Sequence, residues 1–435
     1  MKKLFSSLLV LGTLISLAGC SEPAAPAETT PKKDYSQYAG IVADSKTWYE
    51  EFMALPIAND SMTEGELRQL CVDAFAANMR FTWTPNKEIN YSYKLSGNIY
   101  SVTLPTGIAY SGLAYATGQS SGHIYKILKY YDHETGVLDV EAMDPSKVMS
   151  IVTSACARGA EQGWNRVCNS SNLGNMDSFS QYNSHIVPVG PYTYDAADYN
   201  YDFGTRTATS EILAKNDPDT MYESYALMKP ADGLYSSPSW HVMMCGSEPV
   251  VVRNAAGKID PTESYMLILE QEAVGTRTDK RDITQDNGVV LRQLGTVNEK
   301  FTFKKLLDKG YIPFTFKEFL GQDPVEPGES WLGTDSTKVE SGTALNIKEI
   351  SGKTLFANYA ICVVEFQVKD PAGNVLYRYS PEFVTVPTTY KMSIQGTLDE
   401  TVLSPYADGK NTIHVYTQLA NGELLETFQT VLKIN

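Results

Sequence analysis

The chain is poor in groups that titrate near neutral pH. Its 435 residues include five histidines, at positions 123, 133, 185, 241 and 414, so any imidazole chemistry must use one of these. No HExxH helix, Walker loop or dinucleotide glycine pattern occurs, which excludes the commonest zinc-protease, nucleotide and NAD-binding devices. No C-x-x-C pair marks a zinc site, and "DPAGN" near residue 372 reads as a hairpin turn, not a calcium loop. Beyond residue 20, no run is long and apolar enough to cross a bilayer. Positive charge is scarce too: 36 Lys and Arg stand against 51 Asp and Glu, a net charge of −15. That balance argues against nucleic acid and against anionic lipid headgroups as partners.

What the chain does have begins at its first residues. Lys2 and Lys3 precede the apolar run "LFSSLLVLGTLISLAG", the charged start and small-residue end of a secretory signal. The ending "LAGC" resembles the bacterial lipobox, which implies cleavage after residue 19 and a diacylglycerol on the sulfur of Cys20. The expected location is extracytoplasmic, on a bacterial membrane surface, with the lipid as the sole membrane contact. Residues 20–40 are rich in Pro, Ala and Thr without an apolar period and read as a disordered tether. The roughly 400 residues that follow suffice for two or three domains.

Setting Cys20 aside leaves cysteines at 71, 156, 168, 245 and 362, an odd number with no disulfide-ladder spacing. Cys71 and Cys362 fall on apolar positions of a helix and a strand and read as small buried hydrophobes. Cys156 differs. In "IVTSACARGAEQGW" it follows Thr153 and Ser154, both good helix N-cap types, and opens a helix-like run. A helix N-terminus favours a thiolate, and its amides can hold an oxyanion. The alanines at 155, 157 and 160 would equally suit a closely packed helix. His241 follows the turn "KPADGLYSSPS" at the head of "WHVMMC", where Trp240 and the strand can orient its imidazole beside a thiol.

Along the chain, residues 46–80 carry helix-spaced apolar residues, with Thr63 and Glu66 as a capping box. "INYSYKLSGNIYSVTL" alternates as paired strands. Residues 169–226 are polar and aromatic without a clear period and read as an excursion bordering a cleft. The strands "HVMMC", "PVVVR" and "SYMLILEQ" come next, then a helix and strand in "FTFKKLLDKGYIPFTF" and the linker "LGQDPVEPGES". Strand candidates from "TALNIKEI" to "LLETFQTVLKI" predict an immunoglobulin-like β-sandwich over 333–435. The fold class is α+β.

The order of these parts, "GIAYSGLAY", "CARGAEQGW", "KPADGLY", "HVMMC" and "SYMLILEQ", resembles the NlpC-type cell-wall cysteine peptidases. The resemblance implies a papain-like domain over 41–322, with helices on a short antiparallel sheet and the 169–226 stretch as an insertion. It implies Cys156 as nucleophile, His241 as general base, and Glu270 or Gln271 as the group holding the imidazole; period-two alternation allows only one of these two. It further implies Tyr110, or failing that Tyr115, with Trp240, on the substrate side, and a structural role for Asp232. The implied activity is hydrolysis of amide bonds in peptidoglycan stem peptides, with no metal or organic cofactor. Two alternatives share the fold: an inactive wall- or protein-binding lipoprotein, and a thiol acyltransferase.

Overall fold

The structure is a computed structural model. It describes residues 33–434 apart from 96, 118–121, 170–185, 194–207, 273–281, 285–287, 335–336, 384, 386 and 395. Cys20 and His185 lie outside the described residues. The fold mixes helices and sheets around three hydrophobic cores. None of its helices is long and apolar enough to cross a membrane, among the described residues.

The first core joins two helices to an antiparallel sheet. Helix α1 (Glu64–Arg80) starts at the expected capping box: Glu66 N–H donates to Thr63 Oγ1 at 3.3 Å, and Thr63 N–H donates to Glu66 Oε2 at 2.8 Å. Its buried face carries Leu67, Leu70, Cys71 and Phe75 at helix spacing. Helix α2 (Cys156–Trp164) packs on α1 and on the sheet. The sheet strands are β1 (Ile186–Pro188), β2 (Gly233–Ser236), β3 (His241–Cys245), β4 (Tyr265–Glu270), β5 (Thr296–Thr302) and β6 (Ile312–Phe316), in the order β5-β4-β3-β2-β6-β1. Glycine lets α2 sit this close. A Cβ on Gly163 would stand 2.7 Å from the Cys71 carbonyl oxygen and 2.9 Å from Phe75 Cβ, and one on Gly159 2.9 Å from Gln271 Cβ.

The "KPADGLY" turn ties these elements together. Asp232 accepts from Arg68 Nη1 at 2.6 Å in a buried ion pair and from Lys229 N–H at 2.7 Å. Trp164 Nε1 donates to the Ala231 carbonyl at 2.8 Å. Asp232 thus ties α1 to the start of β2, while Ala231 beside it receives α2.

The 41–322 stretch holds a second core. A smaller mixed sheet contains Thr82–Pro85, Ala109–Ser111, Tyr131–Asp132, Val137–Leu138, Asp282–Thr284 and Val290–Gln293, flanked by the in-register hairpin Ile89–Leu95 and Asn98–Leu104. Trp83, Phe81, Tyr110 and Tyr131 fill it. Strands this short, separated by up to 200 residues, leave little periodicity to read.

Four expectations need correction. "PVVVR" is not a strand: Val250 and Arg253 make only isolated bridges, to Tyr265 and Ile259. Residues 33–40, placed in the tether, lie on the body: Lys33 pairs with Asp139 at 2.7 Å, and Tyr38 donates to the Asn86 carbonyl at 3.0 Å. The 169–226 excursion contributes β1 and the helices Ala208–Lys215 and Pro218–Ala226. Asp217 caps the second of these and Pro218 opens it, while tyrosine and methionine supply apolar surface that looks polar as a string. Finally, "NIKEI" is the helix Ile347–Ile350, because Asn346 and Glu349 form a capping box there.

The third core lies between two four-stranded antiparallel sheets. One comprises Ser330–Thr334, Thr337–Val339, Thr354–Ala357 and Thr389–Lys391; the other Ile361–Lys369, Val375–Tyr379, Thr412–Leu419 and Leu424–Val431. Leu332, Leu355, Val364, Phe366, Val415 and Phe428 meet between them.

Candidate active site

The chain reaches Cys156 through a short parallel ladder in which Tyr115 lies opposite Ser154 and Ala114 opposite Thr153. Ala155 is extended (φ −97°, ψ 171°), so the ladder ends and α2 begins with Cys156 as its first residue. The preceding helix, Val148–Val152, is separate. Thr153 and Ser154 do not cap α2 as expected. Thr153 Oγ1 donates to Met149 O at 2.7 Å, and Ser154 Oγ donates to Ala155 O at 3.3 Å. Since Ala155 caps with no side chain, the first N–H groups of α2 have no intrahelical acceptor. That of Ala157 donates to the Cys156 sulfur, as does Val242 N–H from β3. The Trp240 carbonyl stands 3.9 Å from the same sulfur.

His241 heads β3, and Glu270 ends β4. Glu270 Oε2 lies 2.7 Å from His241 Nε2, with the Glu270 side chain 2% exposed and that of His241 13%. The imidazole also hydrogen-bonds the thiol. With Nε2 committed to Glu270, the nitrogen serving the sulfur is Nδ1, an assignment made from this geometry. Trp240, half-buried, holds a left-handed φ of 51°. Such a conformation is costly for a bulky residue and persists where its surroundings enforce it.

The electrostatics follow from these contacts. Burial opposes ionisation of Cys156, but its hydrogen bond to His241, the imidazole charge and the two amides outweigh burial and hold the thiol below its ordinary value. Burial likewise disfavours the imidazolium, and the bonds to Cys156 and Glu270 with their charges reverse that, raising His241. Both shifts favour a thiolate–imidazolium pair. The other thiols behave oppositely: burial drives Cys71, Cys168, Cys245 and Cys362 well above the ordinary cysteine value.

Of the candidates, Cys156, His241 and Glu270 come together, with Trp240 beside them. Gln271 turns to the opposite face, donating to Leu113 O at 2.8 Å and Leu294 O at 3.3 Å, and belongs to the scaffold. Between the tyrosines the order reverses. Tyr110 packs on Trp83 at 5.0 Å and donates to Pro105 O, whereas Tyr115 sits in the field of the Cys156 sulfur, which adds to burial in raising its phenol. Tyr311, not singled out in the sequence, bonds Ser239, and burial with the charges of Glu270 and Cys156 raises its phenol. Its position three residues past the end of the helix Phe303–Asp308 carries no signal of a site. Among the other histidines, His123 is buried and pushed down to about 3 by burial and the nearby Arg166 and Lys126, and His133 stacks on Tyr49.

Comparisons with protein-family models, with curated proteins and with solved structures return no match to this chain.

Proposed function

We propose that this protein is a thiol hydrolase of the papain-like, NlpC type that cuts amide bonds in cell-wall peptides. The single observation that carries the reading is the line Cys156–His241–Glu270, with the sulfur at a helix start and its imidazole held by a buried carboxylate. In this mechanism the Cys156 thiolate attacks the scissile carbonyl carbon, and the first amides of α2 receive the oxyanion. The imidazolium gives its Nδ1 proton to the departing amine. A thioester remains on the sulfur. His241 then takes a proton from water, hydroxide adds to the thioester, and the carboxylic acid leaves as the thiolate returns. Glu270 keeps the ring oriented and stabilises its charge throughout.

The location belongs to the same proposal: a lipid on Cys20 holds the protein on the outer face of a bacterial membrane within reach of peptidoglycan. The two-sheet unit over 330–434 is assigned here as immunoglobulin-like. Mass spectrometry of peptidoglycan fragments incubated with wild type and Cys156→Ala tests the reading. Hydrolysed products with wild type alone support it. Equal cleavage by both proteins removes Cys156 from the chemistry. Products joined to an added amine would make the protein a transferase instead, and intact fragments with both proteins would leave a binding protein.

A further inference from the structure

The back of the catalytic helix carries a buried cation. Arg166 follows α2 by two residues and is 2% exposed. Its guanidinium lies 5.3 Å from the Phe52 ring and 5.5 Å from the Tyr125 ring, a cation between two aromatic faces. Nη1 donates to the carbonyl of Asn421 at 3.1 Å, in the turn joining the last two strands of the C-terminal unit. That turn is shaped around the arginine. Gly422 has a φ of +106°, and a Cβ there would stand 2.1 Å from Arg166 Nη1. One residue further along the chain from Arg166, Val167 O accepts from Tyr359 of the same unit at 3.2 Å. On the flank of α2, Lys126 and Lys129 donate to Thr385 O and Ser380 O, each at 3.1 Å.

A buried guanidinium is costly unless its surroundings hold it; Nη2 has no hydrogen-bond partner among the described residues, so the Nη1 bond to the Asn421–Gly422 turn and the two rings are what keep the arginine in register. We propose that Arg166 is a positioning residue for Cys156: it pins the far end of the catalytic helix to the C-terminal unit, which makes that unit part of the active-site scaffold and not a detachable module. The inference rests on the thiol reading above, because what is positioned is the sulfur against His241. Displacement of about an ångström at a reacting group is enough to cost rate steeply.

The test uses the full chain and reads the sulfur directly. Iodoacetamide alkylation of Cys156 is followed by peptide mass spectrometry across pH in wild type, Arg166→Met, Arg166→Lys, Gly422→Ala and Leu424→Ser, the last an exposed site on the adjoining strand. Arg166→Met and Gly422→Ala are expected to slow alkylation at pH 7 by about tenfold and to move its half-maximal pH upward. Arg166→Lys, which keeps a cation between the rings, recovers part of the rate, and Leu424→Ser matches wild type. Wild-type rates and pH profiles in both Arg166→Met and Gly422→Ala overturn the inference. If a variant loses its fold, calorimetry decides: one shared transition lowered as a whole supports a single scaffold, and a lowered C-terminal transition beside an unchanged catalytic one overturns it. Failure of wild type to cleave peptidoglycan would remove the hydrolase and leave this alkylation contrast standing.

Discussion

Two histidine–glutamate pairs in this molecule have nearly the same geometry and opposite prospects. Beside Cys156, His241 Nε2 lies 2.7 Å from Glu270; in the C-terminal unit His414 Nδ1 lies 2.5 Å from Glu426, and its Nε2 lies 2.7 Å from Thr412 Oγ1. On paper, Thr412–His414–Glu426 is also a hydroxyl, a base and a carboxylate in line. It even borders an open hollow of about 550 Å3. The difference lies in the backbone. Thr412 sits in a strand paired on both sides, so its neighbouring amides serve the ladders. Cys156 starts a helix, and the amides of Ala157 from that helix and Val242 from β3 turn towards the sulfur. Glu270 is almost fully enclosed, while Glu426 is 40% exposed. A held imidazole is common; a nucleophile with amides turned towards it is the rarer half of a site.

The two pairs separate most clearly when each imidazole is removed. His241→Ala is expected to cost on the order of 10³-fold in muropeptide hydrolysis, the range of general acid–base catalysis. His414→Ala leaves the rate as it is. Equal losses from the two would mean that the C-terminal pair takes part in the chemistry. The carboxylate step is smaller. Glu270→Gln lowers kcat by roughly 10²-fold with little change in KM, since the ring loses its charge partner but keeps its place. Its chain neighbour sharpens the contrast: Gln271→Ala strands two buried carbonyls and lowers stability by about 1–3 kcal/mol, read by urea unfolding.

The pH dependence comes next in size. The lowered Cys156 value keeps the thiolate present, and alkylation fast, down to pH values where an ordinary thiol is protonated; the raised His241 value keeps the imidazolium available as acid well above pH 6.5. Hydrolysis is therefore expected on a broad plateau, falling on the acid side as the sulfur protonates and on the alkaline side as the ring deprotonates. His241→Asn removes the partner and returns the thiol towards its ordinary value, so alkylation at pH 6 drops by roughly tenfold or more. Cys71, Cys245 and Cys362, pushed up by burial, stay unlabelled in the folded protein. Their labelling at the Cys156 rate would show that amides and imidazole confer no selectivity.

How much of this could be read from the string depended on distance along the chain. The two-residue period of a strand shows that only one of Glu270 and Gln271 can face His241, and Thr153 and Ser154 mark a helix start near Cys156 although neither caps it. Tyr115 in preference to Tyr110 has no such local signal, because a register against Ser154, some forty residues away, decides which tyrosine meets the sulfur. The smaller sheet was hidden for the same reason, its strands being contributed from both sides of α2. The helices at 208–226 leave no helical pattern in the string because tyrosine counts as polar in a pattern and as apolar in a core: Tyr225 is fully buried, donating to Tyr311 O at 2.6 Å. Tyr311 itself became a neighbour of the site only through the pairing of β6 with β2.

The smallest expected effect lies in the C-terminal pair, and its sign is fixed. Burial raises the Glu426 carboxyl, but its bonds from His414 and Tyr416, with the charges of His414 and Lys369, bring it below the ordinary glutamate value. A carboxyl lower in the folded than in the unfolded chain adds stability above the unfolded value and loses it as pH falls through the folded one. Because this side chain is 40% exposed, solvent screens the pair and the contribution is at most about 1 kcal/mol. Glu426→Gln should therefore flatten the acid side of the stability curve slightly and leave hydrolysis unchanged, read as urea midpoints at pH 3 to 7 beside a turnover assay. A loss of turnover in this variant would tie the second pair to the first through the Arg166 junction. Unchanged turnover keeps the two apart, one a device for chemistry and the other a strut in a sheet.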